Sequence, residues 1–306
     1  MKHTPANQPS VSLSRRKFLA ISGTVPAAFA AQVSLSDSAE AASASEAAGA
    51  RKIPIGLELY SVRGELARDL PNTLQTVAKM GYEVVEFYSP YFKWTAPYTK
   101  DVRAQMDDLG LRCYSTHNGF DSFKPGENLA HAIELNQILG TRYIVLASAP
   151  GNSGVDGWKG LCEKLSTAVE QLKPHGLSAG YHNHQAEWAK LENGQRIIEV
   201  IAANTPKEFA LQLDVGTCEE AGSDPVAWVK ANPGRIKNMH LKDWAKDQGY
   251  RVLFGEGVTP WKELVEAART VGGVEYFLIE QEGSRFSEFE TAQKCLESWK
   301  AMFGKA

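Results

Sequence analysis

Tyr276-Phe277-Leu278-Ile279-Glu280-Gln281-Glu282 is an apolar tetrapeptide that turns abruptly into a row of ligand-type side chains, and a helical pattern runs behind it from Ser287 to Phe303. A run this short, apolar on every residue, matches a strand buried on both faces of a parallel sheet. The same unit recurs upstream. Candidate strands lie at Ile53–Tyr60, Val84–Tyr88, Arg112–Ser115, Tyr143–Ala147, Ser178–Tyr181, Ala210–Asp214, Ile236–His240 and Tyr276–Ile279, their starts about thirty residues apart. Helical signals fill the intervals. Asp69-Leu70-Pro71 opens one helix and Gly81 closes it; Leu129–Leu139 ends at Gly140; Trp158–Leu172 is stopped by Pro174 and Gly176. Asp224-Pro225 and Thr259-Pro260 begin two more. Eight strand-then-helix units predict a (β/α)8 TIM barrel, one domain over residues 51–306. The rival, a doubly wound open sheet, lacks its G-x-G-x-x-G after the first strand.

The chain of 306 residues has 43% hydrophobic and 23% charged residues, the balance of a globular protein with a sizeable core. A net charge of -3 gives no basic surface for a phosphate backbone, so no nucleic-acid partner is expected. No apolar run reaches bilayer length, which predicts no permanent membrane span. The composition is compatible with a homo-oligomer. Residues 1–50 differ from the rest. Ser14-Arg15-Arg16-Lys17-Phe18-Leu19 is a twin-arginine pattern, an apolar stretch follows over Ala20–Ala31, and A-x-A sites stand at Ala28-Phe29-Ala30 and Ala39-Glu40-Ala41. They read as a Tat signal peptide, with a flexible Ala/Ser-rich linker over Ser34–Ala50, and predict a periplasmic or otherwise exported protein. The Tat route carries folded proteins, often with a cofactor inside, which suits a metalloenzyme. Cys113, Cys162, Cys218 and Cys295 are far apart with no CxxC pair, and read as buried small hydrophobes.

Chemistry in such a barrel sits at the C-terminal ends of the strands. Of seven histidines, four (His117, His182, His184 and His240) fall at predicted strand ends. Residues two apart in a strand share a face. His182 pairs in this way with His184, Asn238 with His240 and Lys242, and Glu280 with Glu282. If these faces point at the barrel axis, His182, Asp214, His240 and Glu280 converge from four consecutive strands. Two imidazoles and two carboxylates suit one divalent metal ion, manganese first, with zinc, cobalt or iron as alternatives. His182 and His184 stay open as alternatives for the fourth ligand. Glu58, Glu86, His184, Glu187 and Lys242 are candidate substrate-binding groups, and Trp94, with Tyr91 and Phe92, a candidate sugar-stacking wall. Taken singly, each has a plainer reading: a hydrogen-bonded core histidine, a helix-capping Asp, ordinary loop packing.

The chain resembles the xylose-isomerase-like TIM barrels, and within them the sugar phosphate isomerase/epimerase branch. The likeness spans nearly all of Ile53–Phe303. It is carried by Gly56-Leu57-Glu58-Leu59-Tyr60-Ser61-Val62-Arg63, Tyr181-His182-Asn183-His184, Gln212-Leu213-Asp214-Val215, His240-Leu241-Lys242-Asp243, Gly255-Glu256-Gly257 and Ile279-Glu280-Gln281. The resemblance implies a metal held by Glu, Asp, His and Glu from the last four strands. Two of those glutamates exchange a proton on opposite faces of a carbon next to a carbonyl. Asp214, His240 and Glu280 match three of these positions; this chain offers His182 or His184 at the first, and a simple epimerase loses one of its paired carboxylates.

Enolisation survives that departure. A metal polarises a ketone and its neighbouring hydroxyl, and a base takes the α-proton. Glu280 is the first candidate base, with His182, His184 and His117 as alternatives. Return of the proton gives isomerase or epimerase activity. Loss of a β-substituent gives a lyase, as with a 3-keto-glycoside losing its aglycone. The expected substrate is a small carbohydrate, and a non-catalytic periplasmic sugar-binding barrel is the alternative outside catalysis.

Overall fold

The computed structural model describes residues 52–304. The export signal and linker read in residues 1–50 lie outside the described residues. Eight parallel strands, β1 (Ile55–Glu58), β2 (Val84–Phe87), β3 (Arg112–Gly119), β4 (Tyr143–Ser148), β5 (Ser178–His182), β6 (Ala210–Asp214), β7 (Asn238–Leu241) and β8 (Tyr276–Ile279), close into a barrel in chain order. Closure is direct: β1 pairs with β8 through Ile55↔Phe277, Gly56↔Leu278 and Leu57↔Ile279. Each strand is followed by a crossover helix: α1 (Leu70–Met80), α2 (Ala96–Asp108), α3 (Glu127–Leu139), α4 (Gly154–Leu172), α5 (Ile197–Ala203), α6 (Pro225–Ala231), α7 (Trp261–Ala267) and α8 (Glu288–Phe303). The expected eight-unit barrel is the observed one. Gly81 and Gly140 end α1 and α3 at φ values of 101° and 81°, a left-handed conformation that glycine adopts without Cβ strain.

Strand limits differ from expectation where side chains intervene. β1 stops at Glu58 because that carboxylate accepts the Tyr60 backbone N–H and starts a 3-10 turn over Leu59–Val62. β3 runs four residues further than its apolar part. Ser115–Asn118 pair with Tyr143–Leu146 of β4, and the polar side chains find partners on both faces. Thr116 and Asn118 bond with Tyr91 and Asn136, while Ser115 donates to Glu86.

Alternation along the strands divides the barrel into two environments. Leu57, Val85, Phe87, Leu211, Leu213, Met239, Leu241, Phe277 and Ile279 are buried in the large core shared with the helices. Val84, Tyr143, Val145, Ala210, Tyr276 and Leu278 form a separate apolar cluster. Glu86, Gln212, Asp214 and Glu280 follow these at two-residue steps, toward the C-terminal ends. Gly56 allows tight closure here, since a Cβ on it would lie 2.6 Å from the Val84 carbonyl oxygen and 2.8 Å from Leu278. All four cysteines are buried and unpaired.

The segment from β7 to α7 is tied by one carboxylate. Asp243 Oδ2 accepts from Gly255 N (2.8 Å), Gly257 N (3.1 Å) and Trp261 Nε1 (3.0 Å), and Oδ1 from Trp244 N (3.0 Å) and Thr259 Oγ1 (3.1 Å). Gly257 has no room for a side chain, as a Cβ would sit 2.0 Å from Asp243 Oδ1. Asp243→Ala strands these donors and is expected to lower unfolding stability by about 3 kcal/mol. Urea denaturation followed by circular dichroism reads this, and an unchanged midpoint would refute it.

Candidate metal centre

The ends of β5–β8 bring His182, Asp214, His240 and Glu280 together, one ligand-type atom from each lying within 4.8 Å of the others, all four buried. His182 Nε2 stands 3.7 Å from Asp214 Oδ2, and His240 Nδ1 stands 3.0 Å from Glu280 Oε2. Of the two histidines, His182 lies in the cluster and both line the cavity, their ring centroids 4.9 Å apart.

A second layer aims these atoms. Gln212 Oε1 accepts from His182 Nδ1 at 2.9 Å and from His117 Nε2 at 2.5 Å, while its amide nitrogen donates to Glu86 at 3.0 and 3.3 Å. An amide oxygen only accepts, so His182 carries its proton on Nδ1 and turns the Nε2 lone pair toward Asp214. Glu86 Oε2 accepts from His240 Nε2 at 2.7 Å, leaving Nδ1 to face Glu280. Carboxylate or amide behind histidine is the arrangement that orients metal-ligating imidazoles.

Electrostatics set the two imidazoles apart: burial would lower His240, but Glu280 and Glu86 outweigh it and raise it to about 10. Burial, and then the neighbouring histidines, keep His182 neutral, well below the ordinary histidine value, with its lone pair free. Burial would raise Glu86, but His117 and His240 outweigh it and hold the carboxylate at about 2. Glu280 is likewise held well below the carboxylate range, Lys242 and His240 overcoming its burial. Burial, then Glu86 and Glu280, push Glu58 well up. Lys242 is raised because Asp214, Glu280 and Glu282 outweigh its burial, with Nζ 3.5 Å from Asp214 Oδ2 and 3.6 Å from Glu280 Oε2. Two imidazoles and two carboxylates in a buried convergent set fit a divalent ion of the borderline kind.

Above the cluster, Glu58, His117, His182, His184, Lys242 and Glu280 line a cavity of about 550 Å³. Three residues expected at the substrate lie elsewhere. Glu86 sits beneath the cavity, its oxygens taken by Ser115, Gln212 and His240. Glu187 accepts from the Tyr181 hydroxyl (2.8 Å) and the His184 N–H (2.7 Å), closing the Gln185–Trp188 turn. Trp94 packs edge-on against Phe87 and Tyr98 and lines a neighbouring groove. Gln212 is not among the residues the sequence singles out for the site, although it stands two residues before Asp214 and therefore on the same face. Glu282 carries the same signal with respect to Glu280, and it pairs closely with Lys242.

A closed parallel barrel with ligand-type side chains converging at the ends of its last four strands defines a TIM barrel with a candidate metal centre. The chain belongs to the xylose isomerase-like TIM barrel family, whose sequence pattern matches residues 74–302. It is similar to an inosose dehydratase of Geobacillus thermodenitrificans, 24% identical, over 60% of this chain and 75% of that protein. Matches to other inosose dehydratases span about 30% of those proteins' length. Among solved structures it is similar to a sugar phosphate isomerase/epimerase from Parabacteroides distasonis, with 27% identity and a TM-score of 0.71 over 82% of this chain and 95% of that one. The zinc-bound IOLI protein shares the fold at 15% identity, with a TM-score of 0.63 over 83% and 99% of the two chains. Among the described residues no helix is long and apolar enough to cross a membrane.

Glu86→Gln keeps all four ligands but weakens the acceptor behind His240. Metal affinity is expected to fall about 10–100-fold, whereas Asp214→Ala and His240→Ala lose the ion. Competition against a chromogenic chelator, with elemental mass spectrometry, checks both; full metal retention in the two alanine variants would remove them as ligands.

Proposed function

We propose that the chain is a divalent-metal-dependent enzyme that removes the proton next to the carbonyl of a keto-sugar or related polyol ketone. The observation that carries this reading is the convergence of His182, Asp214, His240 and Glu280 at the floor of a sugar-sized cavity. The bound ion would supply Lewis acidity at the substrate's carbonyl and adjacent hydroxyl oxygens. Manganese is the first ion to test, followed by zinc, cobalt and iron; zinc is the ion named for the IOLI protein of the same fold. Glu280, at the cavity wall, takes the α-proton, and Lys242 lies 3.6 Å from its Oε2, where it supports the ionised carboxylate. His117 and His184, also on the wall, offer imidazole nitrogens for returning or donating a proton.

Return of the proton to the neighbouring carbon or the opposite face gives an isomerase or epimerase, the reading that the Parabacteroides distasonis similarity supports. His182 favours a second outcome. With an imidazole where a second carboxylate would stand, the geometry suits a single base facing a proton donor to a departing β-hydroxyl or aglycone, which is elimination. The similarity to inosose dehydratases supports that reading. The twin-arginine stretch at Arg15-Arg16 supports a Tat-exported, periplasmic enzyme loaded with metal before export.

Incubating the metal-loaded protein with keto-sugars and keto-glycosides in D2O is expected to place deuterium at the α-carbon, read by proton NMR. Product mass separates the outcomes: unchanged apart from deuterium for isomerisation, reduced by water or aglycone for elimination. Glu280→Gln is expected to slow exchange about 10²–10⁴-fold while a residual site still takes up metal. No exchange by wild-type protein carrying a full equivalent of metal, with any ketone tried, would overturn the enolisation reading.

A further inference from the structure

Asn183 directly follows His182 and is buried. The backbone ladder between β5 and β6 runs through Gly180↔Ala210 and Tyr181↔Leu211 to His182↔Gln212 and ends there. Asp214 stands two residues further on, where its own side chain caps a short helix over Val215–Glu220. At that point the Asn183 side chain takes over from the backbone. Its Oδ1 accepts the Asp214 N–H at 3.1 Å, and its Nδ2 donates to the Asp214 carbonyl at 3.2 Å. Nδ2 also donates to Thr217 Oγ1 at 3.0 Å. A primary amide carries an acceptor and a donor, as a peptide unit does, so it can meet both main-chain groups of one residue. A backbone N–H only donates and a carbonyl only accepts, which settles the way the amide points.

This bond pattern ties two of the four convergent residues together. The backbone of Asp214 is fastened to the residue next to His182. The Thr217 N–H takes Asp214 Oδ1 at 2.9 Å, and Oδ2 stands 3.7 Å from His182 Nε2. Gln212 and Glu86 aim imidazole rings from behind, whereas Asn183 holds the main chain of a carboxylate. Asn136 offers a comparison within the same barrel. It is buried and bonds with Thr116 (2.8 Å), Thr141 (2.9 Å), Tyr91 (2.9 Å) and the Ala132 carbonyl (2.8 Å), none of which belongs to the cluster.

We propose that Asn183 is a positioning residue for the metal centre: its amide extends the β5–β6 pairing past the end of the backbone ladder and sets Asp214 against His182. This rests on the metal reading of the cluster and adds to it a residue that touches no ion.

The test is zinc affinity of the full chain, measured by competition with a chromogenic chelator, together with the visible absorption of the cobalt-loaded protein. Asn183→Ala is expected to bind zinc about 10–100-fold more weakly, the usual effect of removing a group that orients a ligand. Its cobalt spectrum is expected to change as well, because the bands follow the coordination geometry. Asn136→Ala also loses buried hydrogen bonds and is expected to melt earlier by circular dichroism, yet to keep the wild-type spectrum and an affinity within about threefold of wild type, since its effect is on stability. If Asn183→Ala does not fold, Thr217→Val removes one partner of the amide and is expected to weaken zinc binding at least about threefold. A folded Asn183→Ala protein with wild-type affinity and spectrum overturns the assignment alone, as does wild-type affinity in Thr217→Val when only that variant folds. An equal loss in Asn136→Ala also overturns it, by marking the effect as general destabilisation. Failure of wild-type protein to bind zinc or cobalt overturns both the assignment and the metal reading.

Discussion

The site depends on a hydrogen-bonded junction at the centre of the barrel, where Glu86 and Gln212 face each other from β2 and β6. Gln212 bridges His117 and His182, and Glu86 braces His240. Glu86, Gln212 and His240 are shielded from solvent, so each unmade bond there would carry its full desolvation cost. The junction therefore has few acceptable arrangements. The one adopted sets the tautomer of His182 and the ring orientation of His240 together. The junction fixes the two imidazoles, while Asp214 is held by the Thr217 N–H at 2.9 Å and Glu280 faces His240 Nδ1 at 3.0 Å.

The barrel makes that junction affordable. Below it, Val84, Tyr143, Tyr276 and Leu278 fill the interior with apolar bulk, and outside it the helices cover the other face of each strand. A polar layer is thus enclosed from below and from the sides and opens only toward the cavity.

Much of this was legible in the sequence. Eight apolar runs, each followed by a helical pattern, gave the closed barrel, and period-two spacing placed His182, Asp214, His240 and Glu280 on one inner face. Periodicity reports which face a side chain takes but not its depth. Glu86 looked like a substrate group because it shares the inward face, yet it lies a layer below the cavity, where only three-dimensional partners distinguish a brace from a contact. Glu187 and Trp94 belong to connecting segments, whose course depends on bonds no local pattern encodes: the Tyr181 hydroxyl claims the first, and Phe87 and Tyr98 pack the second. The strand expected to end at Ser115 continues to Gly119, because its ladder with β4 and its bonds to Tyr91 and Asn136 satisfy the polar residues that follow.

The four cysteines have a consequence of their own. Burial pushes the Cys295 thiol up to about 12 and Cys162 to about 11, and raises Cys113 and Cys218 further. The thiolate is the reactive form in disulfide exchange and oxidation, so these sulfurs are chemically silent while the barrel stays folded. No disulfide crosses the barrel among the described residues. A barrel closed without a disulfide is held by packing and hydrogen bonds alone, so its fold requires no thiol to be oxidised.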